Sequence, residues 1–321
     1  MSQDLPQKLL AGDRRSLARA ITLVENRDPQ LRPIMDVLYP RTGQAFLLGI
    51  TGPPGAGKST VTDRLVAAIR ATGQTAAVVA IDPSSPFSGG AILGDRIRMQ
   101  DHNGDPGVYI RSLGTRGKHG GLSHAARDVV MVLDAAGFNW IIVETAGVGQ
   151  TELDILKLAH GVAVVLVPES GDGIQMMKAG LLEIADIFVV NKCDRPESDK
   201  IVRELINMVG MGASLKEGSN REGDQVWTAP VLKTQAILAQ GISDLLTEVS
   251  RYKDFAEKTG RLNRKRLDFL RDEVIEIISD NITQVMAQKL TEKQGEALME
   301  EVFQKRVTPY EAAERLQTGK T

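Results

Sequence analysis

The chain has 321 residues, 42% of them hydrophobic and 25% charged, with a net charge of −2. This composition suits a folded α/β domain with additions and gives no electrostatic reason for nucleic acid or an anionic membrane as a partner. One cysteine, Cys193, excludes an intramolecular disulfide and a Cys-cluster metal site, and 4% aromatic residues argue against stacking on single-stranded nucleic acid. There is no run of about 18 apolar residues and no basic-then-apolar leader pattern, so a cytoplasmic location is expected.

In chain order, residues 1–42 are expected to be a helical extension. Leu5, Leu9 and Leu10 share one face, and Asp13 is placed to cap a second helix carrying Leu17, Ala20, Ile21 and Val24. Pro29 and Pro33 punctuate before a short helix with Ile34, Val37 and Leu38. No chemistry is evident here, and these helices are expected to pack on the central domain.

From 43 to 240 apolar runs alternate with helical patterns. Strands are expected at 46–51, 76–82, 108–112, 140–144, 162–167, 187–191 and 231–234, and helices at 58–71, 121–136, 152–159 and 198–208. Near-continuous Val/Ile/Leu strands imply burial on both faces. The expected fold is therefore an α/β P-loop NTPase with a mainly parallel central sheet flanked by helices. Ligands of such sheets bind beyond the carboxyl ends of the strands.

The first strand ends in Gly52, Pro53, Pro54, Gly55, Ala56, Gly57, Lys58, Ser59 and Thr60. This is G-x-x-x-x-G-K-S between a strand and a helix, the context a phosphate-binding loop requires. The glycines let several backbone N–H groups converge on one anion, and the helix adds its positive end. Lys58 can reach the β- and γ-phosphates and Ser59 can ligate Mg²⁺.

After the second strand, Asp82 opens a Ser/Gly/Pro-rich loop leading to Asp95. Both acids are candidate Mg²⁺-shell residues because the phosphate loop is present. After the fourth strand comes Glu144-Thr-Ala-Gly-Val-Gly-Gln150. There Glu144 can hold the metal, and Gly147 can present a backbone N–H to the γ-phosphate. Lys58, Asp82, Asp95 and Glu144 form the candidate catalytic set, and no side chain is an evident strong general base.

After the sixth strand, Asn191-Lys192-Cys193-Asp194 is an N-K-x-D motif. A carboxylate at Asp194 can accept from the N1–H and exocyclic amine of guanine, donors that adenine lacks at those places. Each such bond contributes about 1.5–3 kcal/mol, so two favour GTP over ATP by roughly a hundredfold or more. Asn191 would fix the loop and the Lys192 stem cover the ring. Lys118-His-Gly-Gly-Leu-Ser-His124 spaces two histidines poorly for one helical face and lacks a ligand set. Arg111, Arg116 and Lys118 suit phosphate, a partner or a solvated surface equally well.

Residues 241–321 are helical in pattern. Leu267, Leu270, Val274, Ile277, Ile278, Ile282, Val285 and Met286 recur at helical steps within 266–290, a stretch of roughly 35–40 Å. Shorter helices are expected at 292–305 and 308–316. The length and terminal position of the long helix favour self-association.

Taken together, the segments 52–60, 82–85, 94–99, 144–150 and 169–175 resemble the MeaB/ArgK family of P-loop GTPases, to which the human methylmalonic aciduria type A protein belongs. The resemblance spans nearly the whole chain. It implies Mg²⁺-dependent GTP hydrolysis, a homodimer through the C-terminal arm, and a complex with adenosylcobalamin-dependent methylmalonyl-CoA mutase. In that complex the GTPase gates cofactor loading and protects or reactivates the mutase. It also makes 168–178 a switch loop facing the mutase, with Gly147, Gln150, Glu169, Asp172, Gln175 and Lys178 as switch or partner residues. One departure stands out: where the family tends to carry Ser-Ala-x in support of guanine, this chain has Gln235-Ala236-Ile237. A backbone contact survives that change and a serine side-chain contact does not. An NTP-dependent protein kinase linked to a transport system is the alternative activity, and a nucleotide-gated scaffold the non-enzymatic one.

Overall fold

The computed structural model describes residues 4–26, 28–82, 100–102, 104–114, 121–145, 157–168, 184–217 and 226–318, with backbone alone at 82, 100, 121–124 and 212–217. The chain forms two compact units, Met1–Arg264 and Lys265–Thr321.

The first unit is built on seven strands: β1 Phe46–Thr51, β2 Ala76–Asp82, β3 Val108–Gly114, β4 Trp140–Thr145, β5 Gly161–Leu166, β6 Ile187–Val190 and β7 Val231–Lys233. They make one sheet in the order β3-β2-β4-β1-β5-β6-β7. Every pairing is parallel. All the carboxyl ends therefore open on one edge of the sheet.

Strands β1, β4, β5 and β6 are buried at every position. This is what the unbroken apolar runs require of a sheet covered on both faces. One face packs Phe46, Leu48, Ile50, Ile142 and Val189 against Val61, Leu65 and Ile69 of α4 (Lys58–Ala71). The sheet expected from the alternation is present, with strand ends that differ by one or two residues.

Of three N-terminal helices, α2 Arg14–Glu25 and α3 Leu31–Leu38 pack beside α5 (Gly121–Ala135), and α1 Leu5–Leu10 packs on α2 and α3. Asp13 caps α2 as expected, its Oδ2 accepting from Ser16 N at 2.9 Å and Ser16 Oγ at 2.6 Å. Arg111 of β3 forms a forked ion pair with Glu25 of α2, so this guanidinium binds the N-terminal helices to the sheet edge. Arg116 and Lys118 lie outside the described residues. The helix expected at 152–159 falls mostly outside them too; residues 157–158 form a turn. The helix expected at 198–208 runs on as α6, Ser198–Glu217.

Helix α7 (Ile242–Lys258) completes the first unit, burying Leu245, Val249 and Tyr252. Helix α8 then runs from Arg261 to Leu290, thirty residues. In the second unit, α9 (Lys293–Phe303) and α10 (Pro309–Thr318) fold together. Lys289 Nζ donates to Leu316 O at 3.1 Å, and Arg315 lies 3.6 Å from Glu301. Among the described residues no helix is long and apolar enough to cross a membrane.

Candidate functional site

The phosphate loop joins the end of β1 to α4. Gly52 has φ 145°, and a Cβ there would lie 2.0 Å from Val165 O. Only glycine lets the loop pass so close to β5. Gly57 caps α4 in the left-handed region, φ 85°, and as glycine brings no side chain to the start of the helix. The positive end of α4 therefore faces the loop, as anion binding needs. Lys58 is buried at 6% exposure, and its Nζ donates to Gly52 O at 3.0 Å and Pro53 O at 3.1 Å. The loop thus wraps around its own ammonium group.

Ser59, one residue into the helix, donates from Oγ to Glu144 Oε1 at 2.6 Å. Glu144 is 4% exposed near the end of β4 and pairs in register with Ile50 of β1. A hydroxyl and a carboxylate in contact are hard oxygen donors, which Mg²⁺ prefers, so this pair fits the expected metal. The backbone of Asp82 ends β2 on the same sheet edge, two residues beyond Ala80, which pairs with Glu144. Its side chain is outside the description, and so are Asp95, Gly147, Gln150, Glu169, Asp172, Gln175 and Lys178.

The N-K-x-D segment follows β6 directly and is bound to the phosphate loop. Asn191, 3% exposed, donates from Nδ2 to Ala56 O at 2.9 Å. Its Oδ1 accepts from Thr234 Oγ1 at 3.1 Å and Ala236 N at 3.1 Å. One amide therefore holds the phosphate loop, the end of β6 and the residues after β7 together. Lys192 takes a left-handed φ of 56°, and its Nζ donates to Gly55 O at 2.9 Å. Asp194 presents an exposed carboxylate in the turn that follows.

The 235–240 loop is closed by Gln235 N donating to Gln240 O and Gln240 N to Gln235 O. Ala236 N–H is engaged by Asn191, and the neighbouring Ile237 is 73% exposed. Sequence reasoning named Gln235, Ala236 and Ile237 and missed Thr234, the fully buried hydroxyl that supports Asn191. It also missed the fully buried hydroxyls of Thr51 and Thr145, 3.0 Å apart. A threonine in a strand run is unremarkable as β-branched packing, so the sequence held no signal for either.

Below the loop, His102 Nε2 lies 3.2 Å from both the backbone O and Oδ1 of Asp63 on α4. Burial is the main cause raising the Asp63 carboxyl above its ordinary range, opposed by His102 and Arg64. Seven residues further along α4, Arg70 forms a forked pair with Asp105 at 2.9 and 3.0 Å. That guanidinium is the main cause holding the Asp105 carboxyl below its usual range.

The chain matches the family described as methylmalonyl Co-A mutase-associated GTPase MeaB over residues 17–291. A candidate GTPase of Pyrococcus abyssi is 45% identical over 316 residues, covering 98% of this chain and 96% of the relative. The Escherichia coli GTPase ArgK is 34% identical over 278 residues, covering 84% and 82%. A Caenorhabditis briggsae methylmalonic aciduria type A homolog is 32% identical over 284 residues, covering 84% and 68%. Among solved structures, one titled as a LAO/AO transport system kinase superposes with a TM-score of 0.66 at 24% identity, covering 99% and 96%; this is a likeness of fold.

Proposed function

The chain belongs to the MeaB family and is a P-loop GTPase, and from that premise we propose that it regulates an adenosylcobalamin-dependent methylmalonyl-CoA mutase. It would gate loading of the mutase cofactor and protect or reactivate that enzyme. The family description and the methylmalonic aciduria type A relative support this reading. The nucleotide half of the proposal is carried by Asn191, whose single amide binds Ala56 of the phosphate loop and Ala236 of the base loop.

In this reading the amides of Gly52–Thr60 and Lys58 hold the β- and γ-phosphates. Asp194 and the Ile237 N–H read guanine. Ser59, Asp82, Asp95 and Glu144 would hold Mg²⁺, which would supply charge neutralisation at the phosphate oxygens. Lys58 offsets the charge that develops at the β–γ bridge. With no strong general base among the named residues, intrinsic turnover is slow and partner binding arranges the switches. Gly147, Gln150, Glu169, Asp172, Gln175 and Lys178 carry that signal.

The organisation proposed is an N-terminal extension at 1–42, a G domain at 43–240 and an arm at 241–321, in a cytoplasmic protein. The arm supports a homodimer: Leu267, Val274, Ile278, Ile282 and Val285 of α8 are each about half exposed in the single chain. Burying such a stripe against a second copy is the usual route to a two-fold dimer.

Binding of the purified protein to the mutase, compared with GDP and with a non-hydrolysable GTP analogue, tests the gate. The proposal expects affinities that differ at least tenfold between the two nucleotides. Equal affinities would leave no gate.

A further inference from the structure

Strands β1 and β4 are laddered in register from Phe46↔Trp140 to Ile50↔Glu144, and there the ladder between them stops. One residue on, Thr51 pairs with Val164 of β5, and Thr145 pairs with Ile81 of β2. Each thus continues the pairing its strand already makes on the other side. This is the carboxyl end of the paired strands, the edge at which ligands of open α/β sheets bind.

A side-chain bond joins the two strands just beyond this ladder. Thr145 Oγ1 donates to Thr51 Oγ1 at 3.0 Å, and both side chains are fully buried. Thr51 immediately precedes Gly52 of the phosphate loop, and Thr145 immediately follows Glu144. Successive strand residues point to opposite faces. Glu144 faces α4, where it accepts from Ser59, so Thr145 is directed to the reverse face of the sheet. The exit of β4 is therefore gripped from both sides, by Ser59 through Glu144 and by Thr51 through Thr145.

We propose that the Thr51–Thr145 hydroxyl pair is a positioning device for GTP hydrolysis. It sets the register between the root of the phosphate loop and Glu144, so that the carboxylate stays on Ser59 while nucleotide occupies the loop. Neither threonine touches the reacting atoms; both act through Gly52 and Glu144. Ground-state nucleotide affinity rests on the loop amides and on Asp194, which this pair does not address. The effect is therefore on turnover.

Replacing either hydroxyl by a methyl of similar shape, Thr145→Val or Thr51→Val, is expected to lower kcat about fivefold. That is the rate equivalent of about 1 kcal/mol, one neutral hydrogen bond. KM for GTP and the affinity for GDP should stay within twofold. The double variant should lose no more than either single one, because both changes break the same contact. Thr145→Ser keeps the hydroxyl and should restore kcat to within twofold of the parent. If Thr145→Val does not fold, Thr51→Val carries the same test. An unchanged kcat refutes the proposal. So does a loss that follows the unfolded fraction in a thermal melt, or a double variant in which the two losses multiply.

Discussion

Gly57→Ala isolates the physical link between phosphate recognition and base recognition. Gly57 sits at φ 85°, and a Cβ there would lie 2.5 Å from Asn191 Nδ2. The left-handed backbone alone costs alanine about 1–2 kcal/mol. Asn191 must also withdraw by about an ångström, which breaks its 2.9 Å bond to Ala56 O and adds about 1 kcal/mol. The nucleotide-free protein should therefore lose about 2–3 kcal/mol of unfolding free energy. Gly55→Ala is the matched control: its φ is 77°, and a Cβ there meets nothing within 4 Å. It should cost only the backbone share. Chemical denaturation without nucleotide measures both variants, and the decisive comparison repeats Gly57→Ala in an Asn191→Ala background. With the opposing amide removed, its cost should fall to that of Gly55→Ala. If Gly57→Ala costs the same with and without the Asn191 side chain, the close contact is not what demands glycine there.

Asp194→Asn should weaken GTP binding by about a hundredfold or more while shifting preference toward xanthosine nucleotides, whose C2 carbonyl accepts where the guanine amine donates; calorimetry with both nucleotides measures this. Glu144→Gln keeps the shape but removes the charge beside Ser59. The Mg²⁺ concentration for half-maximal turnover should rise about tenfold, equivalent to 1.4 kcal/mol, and an unchanged requirement would remove Glu144 from the metal shell. Asp63 has a carboxyl raised above its ordinary value of 3.8, chiefly by burial. An acid of this kind stabilises the fold at low pH, and that contribution is lost as pH rises through the raised pKa. Asp63→Asn should therefore shift Tm more favourably at pH 7.5 than at pH 4, and equal shifts would contradict the assignment.

Much of this architecture is legible in the sequence because burial on both faces writes unbroken apolar runs. Phe46–Thr51 and Ala76–Asp82 occur where those runs predict. Local chemistry was equally readable: Asp13 caps its helix, and Gly57 takes the left-handed turn before Lys58. What escaped was contact between distant positions. Asn191 meets Ala56 across 135 residues, and nothing in either segment names the other. Thr234, Thr51 and Thr145 have the residue type any strand favours, so their hydroxyl bonds were hidden behind packing preference. The helix expected at 198–208 continues to Glu217, through Gly210 and Gly212. Glycine inside a helix costs only about 1 kcal/mol, which the flanking residues can offset. Arg111 looked equally suited to phosphate or solvent; its partner Glu25 lies on a helix of the N-terminal extension.

The central claim, that nucleotide turnover serves a mutase, is tested most directly by the steady-state rate of GTP hydrolysis as adenosylcobalamin-dependent methylmalonyl-CoA mutase is titrated in. The rate should rise several-fold and saturate, and Lys58→Ala should abolish it at every mutase concentration. A rate that stays flat across the titration, with the parent protein still hydrolysing GTP alone, would contradict the account.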